Sequence, residues 1–215
     1  MIQVALLNQM GDDLSVVNAA RVSFDKVHIE MEPSDEKLIK YLADHNHWSP
    51  FAHTSLQFHI RAPIFVARQL AKHQVGLVWN EVSRRYVSDD PSFYIPEEWR
   101  GSPEDKKQGS SDKIIDINKH NVMNDPYQAL LKKSLWTYRH LLELGVAPEQ
   151  ARMVLPQSAY TEWYWTGSLY AFSRVCKLRQ ADDAQAETRH VADQVSERCK
   201  INFPISWKHL CKSAT

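Results

Sequence analysis

The chain has no excess of either charge: 26 Lys and Arg balance 26 Asp and Glu among 215 residues. No global field therefore recruits nucleic acid or an anionic membrane, and an anionic ligand must be held by a local group of basic side chains. Cysteine is scarce and scattered. Cys176, Cys199 and Cys211 are an odd set without close spacing, which argues against a disulfide framework and for a reducing compartment. No run approaches the roughly 20 apolar residues of a membrane span. The opening MIQVALLNQMGDDLS lacks a basic n-region and a long apolar stretch, so it does not read as a signal peptide, and a cytoplasmic protein is expected. Repeats and a clear domain boundary are also missing. Length and ordinary apolar content suit a single domain with its own core.

The pattern that is present is mostly helical. Ile2 to Leu7 is a short apolar run that suits a strand, after which Asp12 or Asp13 is placed to cap a helix through Ala20. Ser34 stands before the stripe of Leu38, Ile39, Tyr41 and Leu42 as a cap for a helix to His45. His53 to Ile60 alternates, with Thr54, Leu56, Phe58 and Ile60 on one side, as a half-buried strand does. Pro63 suits the first turn of a helix to about His73, which would put Gln69, Lys72 and His73 on one face. Val75–Trp79 reads as a loop, and Glu81–Val87 as extended chain with Glu81, Ser83 and Arg85 on one side. The polar stretch 101–124 reads as a mobile surface excursion. Asp125-Pro126 opens a long helix stopped by Gly145, and Pro148 opens another that contains Arg152. Tyr160–Leu178 reads as a core helix and Ala184–Arg198 as a last long one. The fold class expected is a helix-rich α/β (α+β) single domain with a twisted, mainly antiparallel sheet.

Three clusters carry possible chemistry. Arg68 to Gln74 and Asn80 to Tyr86 concentrate cations, amides, a carboxylate and a hydroxyl beside apolar positions. Arginine offers a fork of charge-assisted donors to phosphate, although on pattern alone such runs are commonly a solvated basic face. Arg152 sits in the apolar run Ala151–Pro156; it either pairs with Glu149 or Glu162 or reaches an anion, since buried arginine is rare unless paired. Lys177-Leu178-Arg179 by itself is a basic helix end answering the macrodipole. Ten histidines invite a metal reading, chiefly His45, His47 and His53, but the set lacks the tight spacing of a zinc site, so no metal is expected.

Along nearly its whole length the sequence resembles the flavin-dependent thymidylate synthases. The matching stretches are MGDDLSVVNAARVSF, HWSPFAHTSLQFHIRAPIFVARQ, NEVSRRY, FYIP, ARMVLPQSAYTEWYWTG, and the later LR with AQ beyond it. The family signature is Arg-His-Arg, seven residues, then Ser. Here Lys72-His73-Gln74 is followed by eight residues before Ser83, so both arginines are replaced and the spacer is longer. The resemblance implies that Gln69, Leu70, Ala71, Lys72, Glu81, Val82, Ser83, Arg84 and Arg85 bind dUMP, with Arg152 reaching it from another subunit. It implies that Arg179 faces the uracil and helps ionise it. Ser55, Lys72, His73, Gln74, Glu81, Ser168, Leu169, Tyr170 and Arg174 would contact FAD, and Ser23 is a further flavin candidate. His53 matches a histidine tied to folate and methylene transfer. NADPH and methylenetetrahydrofolate are the implied co-substrates, and a homotetramer with shared sites the implied assembly.

The residue types suit that chemistry. Turning a methylene into a methyl group requires a hydride, which a flavin supplies and side chains do not. No cysteine lies in a matching cluster, so activation by polarisation is expected instead of thiolate attack. Ser83 is assigned to binding, because no histidine base for it is evident. Two alternatives remain open: a pyrimidine nucleotide hydroxymethylase without net reduction, and a non-catalytic nucleotide- or RNA-binding relative.

Overall fold

The structure, a computed structural model, describes residues 1–104, 109–116 and 125–212. Among these, six strands form two sheets: β1 (Gln3–Met10), β2 (Ser55–Pro63), β3 (Leu77–Glu81), β4 (Trp99–Arg100), β5 (Ile114–Ile115) and β6 (Tyr160–Ser168). The main sheet is antiparallel throughout with order β1-β2-β6-β3, and β4 pairs only with β5. Alternation dictates its two faces. Leu56, Phe58, Ile60 and Ala62 of β2 are buried, as are Trp163 and Trp165 of β6, and register sets Phe58 opposite Trp165 and Ile60 opposite Trp163. Gln57, His59 and Arg61 point the other way, where Glu162 meets His59 at 3.1 Å and Arg61 at 3.3 Å.

Helices cover the apolar face. They are α1 (Asp13–Arg21), α2 (Pro33–Asp44), α3 (Ser49–Ala52), α4 (Ile64–Leu70), α5 (Pro126–Glu143), α6 (Pro148–Ala151), α7 (Leu169–Arg179), α8 (Ala186–Asn202) and α9 (Pro204–Leu210). The core joins Phe172 and Val175 of α7, Val191 and Val195 of α8, and Val16, Val17 and Ile39 of α1 and α2 to the sheet. Phe172 stands edge-on to Phe58 and Trp165, at 5.0 and 5.3 Å between centroids, the arrangement aromatic quadrupoles favour. Local chemistry sets several ends. Asp12 caps α1, accepting from the Ser15 amide at 2.8 Å while Ser15 Oγ accepts from the Asp12 amide. Asp125 caps α5, and Gly145 follows the end of that helix with φ +83°, a conformation that favours glycine.

Tertiary pairing overrides several expectations. Tyr160–Leu178 is not one helix but β6 followed by α7, with Ser168 as N-cap. An aromatic, apolar run is ambiguous by periodicity; here the alternation of buried Thr161, Trp163 and Trp165 with outward Glu162 and Tyr164 decides it. Val75–Trp79 is not all loop: β3 begins at Leu77 and ends at Glu81. Ser83–Val87 is a turn, not extended chain, closed by the Tyr86 and Val87 amides donating to the Ser83 carbonyl. Helix α4 stops at Leu70, so Lys72 and His73 lie in the turn beyond it and share no helical face with Gln69. The chain must reverse there to lay β3 beside β6. Pro33 occupies the first turn of α2, which moves the cap from Ser34 back to Glu32. Of the stretch 101–124, residues 105–108 and 117–124, with the mobility expected of them, lie outside the described residues; Ile114–Ile115 is strand.

Candidate active site

At the start of α7 the sheet opens into a cavity of about 590 Å³. Ser55 of β2, Thr166, Gly167 and Ser168 of β6, and Tyr170, Ala171 and Arg174 of α7 line it, with Trp48, Ala52, Val75, Gly76 and Val78. Backbone geometry makes the space. Gly76 has φ +76°, and a Cβ on Gly167 would come 2.5 Å from the Gly76 carbonyl oxygen, so β3 and its turn approach β6 only because no side chain stands there. Ser168 Oγ accepts from the Ala171 amide at 3.2 Å, fixing the first turn of α7. The Trp48 and Tyr170 rings meet with centroids 6.2 Å apart. Arg174 is the one cation of this lining, taken over the described residues.

A recess of about 180 Å³ adjoins this cavity and shares Val75, Ala171 and Arg174 with it. Lys72, His73 and Gln74 line it. Arg179 Nε donates to His73 Nε2 at 3.0 Å. Burial, then the Arg179 and Arg174 guanidinium groups, hold the His73 ring below its ordinary value of 6.5, because each disfavours a further positive charge.

A third cavity, of about 500 Å³, lies across the outer end of β3 and β6. Glu81, Val82, Arg84 and Arg152 line it together with Arg61, Asp89, Asp90 and Glu162. Glu81 accepts from Thr161 Oγ1 at 2.7 Å and from Trp79 Nε1 at 3.2 Å, so both carboxylate oxygens have donors. Arg84 donates to the Asp89 carbonyl at 2.6 Å. Arg152 is exposed, not buried, and its Nε reaches the Glu149 carbonyl at 3.3 Å and, among the described residues, no carboxylate. Neither structural ion pair expected for it forms.

The structure thus brings Ser55, Ser168, Tyr170 and Arg174 to one cavity, Lys72, His73 and Gln74 to the next with Arg179 on His73, and Glu81, Val82, Arg84 and Arg152 to a third. Other expected residues stand apart. Leu70 and Leu169 are core side chains, leaving only their backbone for a ligand, while Ala71 is half-buried past the end of α4. Gln69 is bound into α8, its amide nitrogen donating to Gln185 and its oxygen accepting from Thr188 Oγ1 at 3.3 Å. Ser83 Oγ accepts from Arg85 Nε at 3.2 Å within the turn. His53 is exposed at the end of α3, two residues before Ser55, and Ser23 lies in an exposed 3-10 turn. His45 and His47 pack with Tyr41 as an aromatic cluster. Sequence reasoning missed Trp48, Gly76, Val78 and Gly167. A glycine inside an aromatic strand is the signal that marks close backbone approach; Trp48 carries none.

Burial pushes the Cys176 and Cys199 thiols well above 9.0 and that of Cys211 up to about 12. Nucleophilic cysteines need the opposite shift, so these three are packing residues.

The antiparallel sheet and α7 thus set a cavity with Arg174 beside a recess that Arg174 also lines, with Arg61, Arg84 and Arg152 in a third cavity, an arrangement whose chemistry suits anionic ligands. The chain belongs to the thymidylate synthase complementing protein family, whose model matches residues 5–205. It is 41% identical over 219 residues to the flavin-dependent thymidylate synthase of Thermus thermophilus, covering 98% of this chain and 77% of that protein. It is 38% identical to the enzyme of the same name from Thermosipho africanus, covering 97% and 90%. Among solved structures, the UMP/dUMP methylase PolB of Streptomyces cacaoi bound with 5-Br dUMP superposes with a TM-score of 0.82 at 31% identity, over 97% of this chain and 94% of that one. The same protein bound with 5-Br UMP gives 0.83 at 30% identity, over 97% and 93%.

Proposed function

We propose that this protein is a flavin-dependent thymidylate synthase, converting dUMP to dTMP with FAD, NADPH and methylenetetrahydrofolate. The observation that carries the reading is the juxtaposition at α7: a ring-sized cavity with Arg174 in its lining opens beside the recess where Arg179 meets His73. The donor set fits a flavin nucleotide. Trp48, Tyr170 and Val78 offer flat and apolar contact, Ser55 and Ser168 hydroxyls, and Arg174 a phosphate partner. When bound, the reduced flavin supplies the hydride that the methyl group requires.

The protein's own residues bind and polarise. Arg179 stabilises the negative charge that develops on the uracil, an electrostatic role suited to a chain whose three thiols are held protonated by burial. Arg84, Arg85 and Arg152 hold the phosphate, and Ser83, Glu81, Gln69 and Lys72 orient the nucleotide. The backbone of Leu70, Ala71 and Val82 adds to that cradle. Lys72, His73, Gln74 and Leu169 border the flavin, and His53 beside Ser55 takes the folate. Arg152 works in the site of a neighbouring subunit of a homotetramer, which suits its exposure. The enzyme acts in the cytoplasm and requires neither membrane nor nucleic acid.

The test is product analysis. Protein with FAD, NADPH, methylenetetrahydrofolate and dUMP is expected to form dTMP, and flavin titration to saturate. Hydroxymethyl-dUMP as the product would replace this reading with a hydroxymethylase. Nucleotide binding without flavin binding would replace it with a non-catalytic role.

A further inference from the structure

We propose that His73 is a positioning residue for Arg179: its unprotonated Nε2 accepts the hydrogen bond that aims the guanidinium, and a proton on that nitrogen releases it. The inference rests on the reading that Arg179 faces the uracil. Its foundation is the contact itself, Arg179 Nε donating to His73 Nε2 at 3.0 Å across 106 positions of chain. An arginine N–H only donates, so the nitrogen it meets must carry a lone pair; His73 is therefore neutral, with its proton on Nδ1.

The surroundings sustain that state. His73 is half-buried in the turn after α4, and the charged groups facing it are cations: Arg174 and Arg179 of α7, with Lys72 next to it in the chain and in the same recess. Burial comes first and the two arginines second in holding its proton affinity down. Arg179 needs such an anchor. It is the last residue of α7, after exposed Lys177 and Leu178, where a long side chain has many rotamers. Among the described residues, Nε is the only side-chain nitrogen of Arg179 with a hydrogen-bond partner. Held at Nε, the guanidinium keeps its orientation and presents both terminal amino groups to a ligand. Protonation of His73 would set N–H against N–H and cation against cation, and the anchor would become a repulsion.

Steady-state kinetics with FAD and dUMP saturating, from about pH 5 to 8, test this in five proteins. In the unaltered enzyme kcat is expected to fall on an acid limb below the ordinary histidine range of about 6.5, with KM for dUMP changing less. His73→Phe removes the acceptor: kcat should drop roughly tenfold and the acid limb disappear. His73→Gln places a non-titrating acceptor near the Nε2 position: most of the rate should return, with the acid limb still absent. In an Arg179→Ala background, His73→Phe should change kcat less than about twofold, because the two act as one unit. Nitrogen NMR of the flavin-free protein should show His73 as the Nδ1–H tautomer, and its pKa should rise in Arg179→Ala. If Arg179→Ala cuts turnover while His73→Phe leaves kcat and the acid limb intact, the positioning role is wrong and the activating role stands. If Arg179→Ala turns over normally, the activating role fails and the proposal with it. Should His73→Phe not fold, the Gln variant decides: an unchanged acid limb there overturns the proposal.

Discussion

Around Ser168 the site is shaped by backbone, whereas around Arg84 it is made of side chains. The first cavity exists because Gly76 takes a positive φ and Gly167 leaves room for the Gly76 carbonyl, with α7 locked in place by its Ser168 cap. The cavity around Arg84 is lined by arginines and carboxylates on strand ends, a turn and an exposed 3-10 segment; Arg84 and Arg152 donate to nearby carbonyls and Arg61 pairs with Glu162. A planar ring is recognised by the shape of a rigid slot, and mistakes in shape are steric and steep. A phosphate is recognised by charge, which several arginines can share, so losses there are partial and salt-dependent.

The steepest effect is expected at Gly167. Gly167→Val puts a branched side chain against the Gly76 carbonyl, and overpacking of this kind costs about 1–3 kcal/mol of stability. Flavin affinity should fall by roughly a hundredfold, about 2.8 kcal/mol, in a fluorescence titration of protein that still melts cooperatively. Tight flavin binding by this variant would break the contrast, because the slot would then not be set by backbone.

An intermediate effect is expected in the Ser83 turn, which also carries Arg84 of the charged cavity. Arg85→Ala should raise the dUMP concentration required by roughly tenfold, about 1.4 kcal/mol, while kcat and flavin affinity stay near their starting values. The deficit should shrink as salt rises, since added ions already screen what the arginine contributed. A loss of kcat at saturating dUMP would move Arg85 from binding into the chemistry.

The smallest effect is expected at Ser168. Ser168→Ala removes the N-cap bond to Ala171 and should cost about 1 kcal/mol of stability, a shift of about 2–4 °C in melting temperature. Flavin affinity should change by less than about tenfold, because the slot keeps its shape. A loss as large as that of Gly167→Val would mean that the hydroxyl, not the slot, holds the cofactor.

Much of the site is legible in the residue order because its pieces are local. The alternation after His53 marks β2 and the inward side of Leu56, Phe58 and Ile60. Lys72, His73 and Gln74 fall together because they are adjacent, and Glu81 and Arg84 meet in one cavity although the chain between them turns instead of extending. The tie of Gln69 to Gln185 and Thr188, and the place of Trp48 beside Tyr170, are not legible. They depend on where α8 and the α3 loop dock, and no periodicity encodes docking.

Sequence alone determined the elements whose cause lies within a few residues: the Asp12 cap with Ser15, the Asp125 cap with Pro126, the stop at Gly145, and the run of matches that places the chain in its family. Tertiary structure decided the rest. Asp13, a second candidate cap for α1, is buried and accepts from the Ile205 and Ser206 amides at 2.8 Å, serving the start of α9 instead. Tyr160–Ser168 becomes a strand because β2 and β3 offer it hydrogen-bonding partners on both sides. His73 finds Arg179 only once β6 is in place and α7 runs back past the turn. A cap or a turn is fixed by neighbours along the chain, but a pairing between distant residues has no energy until the core brings them together.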